Sequence, residues 1–455
     1  MKKFIETIKN IFRIEDLRKR ILYTLFIILI YRFGAHVVLP GINPGALSAF
    51  TSAAQKGLLG MLDLFSGGAF SNASIFALGI MPYITASIVV QLLTLAVPYF
   101  QRLAKEGESG RTKINQITRY LTVGVLAVQA PAYIAQLTGQ FPGAIAPSML
   151  EHRVLGFSAF AICAFILLIS STLFIMWLGE RITDNGIGNG ISIIIMIGII
   201  ARLPFALKAE FTARITEMNG GPIIFILELV LMMIIIGLCI LLVQGTRRIP
   251  VQYAKRVVGN KQYGGVRNYL PLKVNAAGVM PIIFAQALMF IPLTFVNISQ
   301  ETTSGFWNSF IDYNRLGYNI VFFLMIIAFT YFYTAITINP QQIAEDLKKN
   351  NGFIPGVKPG KHTAEYIDRI MSRITLPGSI FLGIVAVLPA VVRMFGVNQQ
   401  FAQFFGGTSL LIMVGVVLDT LQQIESHLLM RHYDGLTKSG RIKGRTGGGI
   451  YGNQM

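Results

Sequence analysis

Long apolar runs recur along the whole chain, and they constrain its fold more than any other feature. A helix needs roughly 17–25 mostly apolar residues to cross about 30 Å of hydrocarbon. The runs that approach this length predict membrane-spanning helices at 21–38, 74–97, 117–138, 155–178, 189–205, 222–243, 274–297, 317–338, 373–394 and 407–426. We therefore predict an all-α membrane protein with about ten spans.

The composition supports the bilayer as solvent. Of the 455 residues, 53% are hydrophobic and 13% are charged, whereas a soluble domain carries about 25% charged residues. The basic start of the chain lacks the short apolar core and cleavage site of a signal peptide, so we expect it to remain in the mature protein. Cys163 and Cys239 lie inside apolar runs and are expected to pack as small apolar side chains.

Lysine and arginine predict the orientation, because cytoplasmic loops carry an excess of them. About 29 basic residues lie in the two terminal segments and in the loops that follow the even-numbered spans, against about five in the alternate loops. Those five are Lys56, Arg153, Lys208, Arg214 and Arg315. We predict that both termini and the basic loops are cytoplasmic, which requires an even number of spans.

Two kinds of connecting segment differ from ordinary short loops. Segment 57–73 is moderately apolar, rich in Gly and Ser and too short to span, so it is either an external loop or a short re-entrant helix that fills a cavity. The loops 244–273 and 339–372 are long and basic. Their Pro and Gly content predicts hairpin-like projections rather than helices, and their length and charge suggest that they contact a partner.

The sequence contains no catalytic constellation. It has no phosphate-binding loop of the G-x-x-x-x-G-K-[ST] type, no H-E-x-x-H and no C-x-x-C. Glu228 and Asp419 are acidic residues within apolar stretches, which by default marks a functional position. Each could instead lie near a helix end or pair with a neighbouring helix, and a proton relay is a further alternative.

Eight blocks that occur in order along nearly the whole chain resemble the SecY family, the pore-forming subunits of the bacterial Sec protein translocase and their Sec61-alpha relatives. A single block would be weak, whereas eight in family order are highly specific. The blocks are SGGAFSNASIFALGIMPYITASIVVQLL (66–93), KEGESGRTKINQITRY (105–120), MWLGERITDNGIGNGISII (176–194), RRIPVQYAKR (247–256), LPLKVNAAGVMP (270–281), AEDLKKNNGFIPGVKPG (344–360), TAEYIDRI (363–370) and FGGTSLLI (405–412).

The resemblance implies two inverted halves of five helices that form a clamshell around a central pore, with a short plug helix near 58–72. The implied division of the chain is a cytoplasmic basic N-terminus at 1–20, an N-terminal half at 21–205, a C-terminal half at 222–426 that carries the docking loops 244–273 and 339–372, and a cytoplasmic tail at 427–455. We expect the Gly-rich end of that tail to be disordered.

The resemblance also implies a function. Members of the family conduct unfolded secretory polypeptides across the inner membrane, recognise signal sequences, and release transmembrane segments laterally into the lipid. We expect no catalytic activity, no cofactor and no metal in this chain, since partners supply the energy. The implied partners are the SecE and SecG subunits, the SecA motor ATPase, the ribosome, signal peptides and nascent chains, membrane lipids, and accessory insertase or chaperone membrane proteins.

Four sets of residues match functional positions of the family. The pore ring would be Ile80, Ile84, Ile191, Ile195, Ile283 and Ile412. The polar cluster of the lateral gate would be Gln91, Gln129 and Asn275, and the plug would include Leu62, Phe65, Ser66, Gly67 and Gly68. Docking of the ribosome and SecA would use Arg247, Arg248, Lys255, Arg256, Lys261, Lys348, Lys349 and Lys358.

The docking loops depart from the family pattern at two places. Lys358 stands where most of the family has Arg, and Lys keeps the charge but loses planar, bidentate hydrogen bonding. The first loop reads Gly259-Asn260-Lys261, where a basic pair is usual. Both departures concern partner docking, and neither affects the expected channel.

Two other classes of membrane protein serve as alternatives. An inverted-repeat secondary transporter would need polar or charged residues that face a substrate near the midplane, whereas the candidate ring is aliphatic. An intramembrane protease would need a Ser/His pair or metal ligands within its spans, and the sequence offers neither in a recognisable pattern.

Overall fold

The computed structural model describes residues 14–43, 45, 60, 63–140, 143, 145–154, 157–216, 221–253, 256–258, 261–263, 267–286, 288, 289 and 315–438. The helices are α1 (Glu15–Gly34), α2 (Met81–Ala96), α3 (Pro98–Lys105), α4 (Glu108–Gln140), α5 (Pro147–Glu151), α6 (Ala159–Asn185), α7 (Gly190–Phe211), a π-helix (Thr212–Thr216), α8 (Gly221–Gln244), α9 (Leu316–Thr337), α10 (Pro340–Lys349), α11 (Lys361–Met394), α12 (Gln399–Ala402) and α13 (Gly407–Lys438). The strands are β1 (Arg153–Val154), β2 (Phe157–Ser158), β3 (Thr246–Tyr253), β4 (Arg256–Val258), β5 (Lys261–Tyr263), β6 (Arg267–Lys273) and β7 (Gly352–Phe353).

The predicted all-α membrane fold is confirmed by the long apolar helices. Within the described ranges, 7 helices are long and apolar enough to cross a membrane, and the bent pair of α2 and α3 brings the number to 8. Helix α1 occupies the first predicted span but carries Arg18, Lys19, Arg20 and Arg32, which lowers its mean hydropathy. The seventh predicted span, 274–297, is helical at 280–286, and its part beyond 289 lies outside the described residues.

Several spans have different ends from those predicted. Helix α2 begins at Met81 rather than at 74, because residues 66–80 form successive turns with positive φ at Gly67, Gly68, Ala73 and Gly79. Other helices continue past the apolar stretch into polar sequence, since backbone hydrogen bonding does not stop where hydrophobicity does. Examples are α4, which starts at Glu108, α11, which starts at Lys361, and α13, which runs through 427–438 of the predicted tail.

The first basic loop forms the expected hairpin. Strands β3 and β6 pair antiparallel from Thr246 opposite Lys273 to Gln252 opposite Arg267, and β4 pairs with β5 beyond them.

The second basic loop contains a helix, α10, at 340–349. The prediction that this loop forms a hairpin-like projection rather than a helix is therefore wrong for these residues. Asn339 caps this helix by accepting from the backbone N–H groups of Gln341 and Gln342, and Pro340 occupies its first turn. These are strong helix-start signals, and they outweigh the Pro and Gly residues further along the loop.

The outer surfaces of the spans are apolar. In the most apolar 18-residue stretch of α8, the mean hydropathy is 3.1 and only 17% of the stretch is buried. Ile223 is 79% exposed and Leu241 is 69% exposed. A surface of this kind is stable only against lipid or another apolar partner, so the chain is a multi-pass membrane protein.

Candidate pore and plug

The segment after α1 packs inside the helical bundle, where it contacts α1, α4, α6 and α7. Phe65, Ala69 and Ser71 are at most 6% exposed, and residues 63–65 form one short helical turn before a series of turns. Such burial fits a re-entrant segment that fills a cavity better than an external loop. Leu62, the first of the predicted plug residues, lies outside the described residues.

Three spans of the N-terminal half donate side-chain hydrogen bonds to the backbone of this segment. Buried carbonyl groups need partners, and here the partners come from α1, α4 and α6. The bonds run from Tyr31 Oη to Ser66 O (3.3 Å), from Arg32 Nη1 to Gly67 O (3.2 Å), from Tyr133 Oη to Phe70 O (3.0 Å) and from Ser171 Oγ to Ile75 O (2.7 Å). The segment is therefore fixed by polar contacts as well as by burial.

A buried ion pair attaches the same segment to α7. Arg202 contacts the Asp63 carboxylate and donates from Nη2 to Ser71 Oγ at 2.6 Å. Asp63 Oδ1 also accepts from the backbone N–H of Ser71 at 2.8 Å.

Two glycines allow this close approach. Gly67 and Gly68 have φ of +64° and +94°, which L side chains rarely adopt. A Cβ on Gly67 would lie 2.7 Å from Gly198 Cα of α7, and a Cβ on Gly68 would lie 2.9 Å from Arg202 Cζ. Any larger residue would push the segment away from α7.

The six isoleucines predicted as a pore ring belong to one apolar cluster. Ile80, Ile195 and Ile412 are 3–4% exposed, and Ile84, Ile191 and Ile283 are partly buried against the same cluster. They come from the start of α2, from α7, from helical residues 280–286 and from α13. Phe65 of the re-entrant segment belongs to this cluster as well.

The structure does not join the three amides of the predicted lateral gate to one another. Gln91 Nε2 donates to Ser87 Oγ at 3.5 Å, and Asn275 is 6% exposed, with an Oδ1 that has no hydrogen-bond partner. Among the described residues, no hydrogen bond links Gln91, Gln129 and Asn275.

The predicted docking residues whose side chains are described all lie at exposed positions. These are Arg247, Arg248, Lys348, Lys349 and Lys358. Lys255 lies outside the described residues, and Arg256 and Lys261 are described by their backbone only. Strand β3 also pairs with β7, where Gln252 lies opposite Phe353, so the two basic loops form one unit.

Sequence reasoning missed a buried charge cluster at the end of α7. Arg214 Nε donates to Glu210 Oε1 at 2.8 Å, and Arg214 Nη2 donates to Glu228 Oε1 at 2.7 Å. The i,i+4 spacing of Glu210 and Arg214 was a readable signal. Of the alternatives left open for Glu228, the structure agrees with pairing to a neighbouring element, and Asp419 lies exposed on α13.

Aliphatic side chains from several helices of this membrane bundle pack in one cluster with Phe65 of the buried re-entrant segment, which is the packing that a closed membrane channel would require. The comparisons with known proteins agree. The SecY family model matches residues 74–421, and the chain belongs to the SecY family.

Curated relatives cover nearly the whole chain. It is 43% identical over 439 residues to a protein of Streptomyces coelicolor named protein translocase subunit SecY, with 94% of this chain and 98% of that protein covered. It is 42% identical over 450 residues to the protein of the same name from Mycobacterium tuberculosis, with 96% and 99% covered.

Solved structures support the fold. One described as the structure of a protein conducting channel aligns with a TM-score of 0.62 at 16% identity, covering 94% of this chain and 95% of that one. Sec61 in a canine ribosome-channel complex aligns with a TM-score of 0.56 at 15% identity over the same shares. The family and the channel fold predicted from the sequence blocks are thus confirmed.

Proposed function

We propose that this chain is the central channel subunit of a Sec translocon, which conducts unfolded polypeptides across the membrane and releases apolar segments sideways into lipid. The observation that carries the proposal is the single apolar cluster that contains the six isoleucines together with Phe65 of the buried segment. The near full-length similarity to translocase subunits supports it.

The aliphatic ring would act as the seal. Isoleucine side chains offer water no hydrogen bonds, so a narrow ring of them excludes water and ions by dewetting. They also hold no peptide group tightly, so a moving chain could slide through. A secondary transporter would instead need polar groups at this depth, and the comparisons favour the channel.

The lateral gate would open between spans two and three on one side and seven and eight on the other. Amide contacts between helices in a membrane are worth only about 0.6–2 kcal/mol, which an incoming apolar segment can replace by its own burial. The orphaned carbonyl oxygen of buried Asn275 is suited to accept such a weak, reversible contact.

The exposed basic loops would form the cytoplasmic docking surface. Ribosomal RNA is a dense polyanion and attracts Lys and Arg in a salt-dependent manner, and an acidic surface of a motor protein would be attracted likewise. We infer that the ribosome and SecA dock here, that SecE and SecG complete the complex, and that both termini lie on the cytoplasmic side of a bacterial inner membrane. Energy would come from the partners, without catalysis by this chain.

Reconstitution tests the proposal. Proteoliposomes with this chain, SecE, SecG, SecA and ATP should protect an added secretory precursor from external protease, and vesicles that lack only this chain should not. Equal protection of the precursor in both preparations would overturn the proposal. So would a lack of protection in the complete vesicles when the complex in them is monodisperse.

A further inference from the structure

The ion pair between Asp63 and Arg202 is not needed for an apolar seal. Taking two charges out of water costs free energy that their attraction repays only in good geometry, so burial of apolar side chains alone would close the path more simply. The pair therefore calls for an explanation other than bulk stability. Its side chains are 18% exposed for Arg202 and 4% exposed for Asp63.

Arg202 lies in a strongly apolar helix. The most apolar 18-residue stretch of the span Gly190–Ile215 has a mean hydropathy of 2.2, and a charged residue inside such a span is costly unless it is paired. Its contacts with Asp63 and Ser71 both lie in the re-entrant segment. Displacement of that segment would remove both contacts together and leave the guanidinium of Arg202 without its carboxylate.

The contact between Asp63 and Arg202 also depends on the exact placement of the re-entrant segment against α7. Gly67 and Gly68 bring the backbone of the segment against Gly198 and Arg202 of α7, and Asp63 Oδ1 is already held by the backbone N–H of Ser71. Only one placement of the segment satisfies all of these contacts. An apolar cluster alone, in contrast, can lose its unique packing before it loses stability.

We propose that Arg202 is a positioning residue for the plug, and that its ion pair with Asp63 is a latch that must break before the channel opens. This inference rests on the proposed channel function. The latch adds to the threshold for opening independently of the isoleucine ring, and it returns the plug to one fixed place after each opening.

A double-mutant cycle tests the latch in the idle complex. The variants are Asp63→Asn, Arg202→Gln and the two combined, each in a chain with Ala69→Cys as a reporter and with Cys163 and Cys239 replaced by Ala. Ala69 is 0% exposed, so a water-soluble maleimide labels it only when the plug moves.

Each single variant should raise the labelling rate about tenfold or more, because it leaves one buried charge unpaired. The combined variant should label no faster than either single one, since both charges are then gone. Arg202→Lys, which keeps the charge but loses the second hydrogen bond, should fall between the parent and Arg202→Gln.

Arg119→Gln is the matched control. It breaks a different ion pair, between Arg119 of α4 and Glu180 of α6 at 2.7 Å, without touching the plug, and it should label at the parental rate. Parental rates in well-folded Asp63→Asn and Arg202→Gln complexes would overturn the latch, as would simple multiplication of the two effects in the combined variant. The assay needs no precursor, so its result is distinct from a failure of translocation.

Discussion

Arg214 Nη2 donates to Glu228 Oε1 at 2.7 Å, and this bond joins the π-helix after the fifth span to the sixth span. Glu210 Oε2 also accepts from the backbone N–H of Asn398 at 2.8 Å, which brings the loop before α12 into the same cluster. The cluster lies where the two proposed halves of the chain meet. Its charged side chains are almost fully buried.

Removal of Arg214 should destabilise the complex strongly. Arg214→Gln leaves two buried carboxylates without their cation, and breaking a buried pair in this way typically costs about 3–5 kcal/mol. The melting temperature of the purified complex should fall by several degrees. The more exposed pair of Arg119 and Glu180 is the control, because such pairs contribute about 0–1 kcal/mol; equal shifts for Arg119→Gln and Arg214→Gln would contradict the argument.

Cysteines placed in the basic loops and cysteines placed in the alternate loops should be labelled from opposite sides of the membrane. Single cysteines at Lys348, Lys358 and Lys361 should react with an impermeant maleimide only from the cytoplasmic side. Cysteines at Arg315, and at Lys56 outside the described residues, should react only from the other side. Labelling of both groups from one side would contradict the orientation read from the basic residues.

Lys358 should act mainly through its charge. It is exposed in the second basic loop, so Lys358→Glu should slow precursor translocation several-fold, whereas Lys358→Arg should be nearly silent. Arg315→Glu, an exposed reversal on the predicted outer side, serves as the control. Translocation by Lys358→Glu at the parental rate would show that this residue takes no part in docking.

Polar replacement of the ring should make the idle channel leak. Ile84→Asn combined with Ile195→Asn introduces groups that hold water at the constriction, so ion conductance per folded channel should rise while translocation persists. Ile194→Asn with Ile326→Asn places the same changes at buried positions of the same cluster outside the ring, and should lower the folded yield without a matching leak. Unchanged conductance in the ring variant, with the plug deleted as well, would exclude the ring as the seal.

The length of the apolar runs predicted the fold class and most of the spans, and Pro and Gly content predicted the hairpin of the first loop. The sequence blocks added the family. Neither predicted that α2 begins only at Met81, because an apolar run does not distinguish a helix from buried turns. The helix at 340–349 was missed because Gly and Pro elsewhere in the loop received more weight than Asn339 and Pro340 at its start.

The candidate site was predicted less completely. The isoleucines were assigned through the family resemblance, since apolar spacing alone cannot separate a ring from ordinary packing. Asp63 and Arg202 lie 139 positions apart in the sequence, so no local sequence pattern predicts their contact. The polar cluster of the gate was assigned through the same resemblance, and the described hydrogen bond from Gln91 runs to Ser87 within one helix.

The most direct test of the account asks whether a translocating chain passes the isoleucines. A precursor arrested midway should cross-link through a photoreactive probe attached to a cysteine at Ile195, but not to one at Ile194, its neighbour on α7, which is 1% exposed and packs in the same cluster. Cross-links that depend on SecA and ATP are expected at Ile195 alone. Equal cross-linking at both positions, or none at Ile195 while the precursor is demonstrably arrested in the complex, would contradict it.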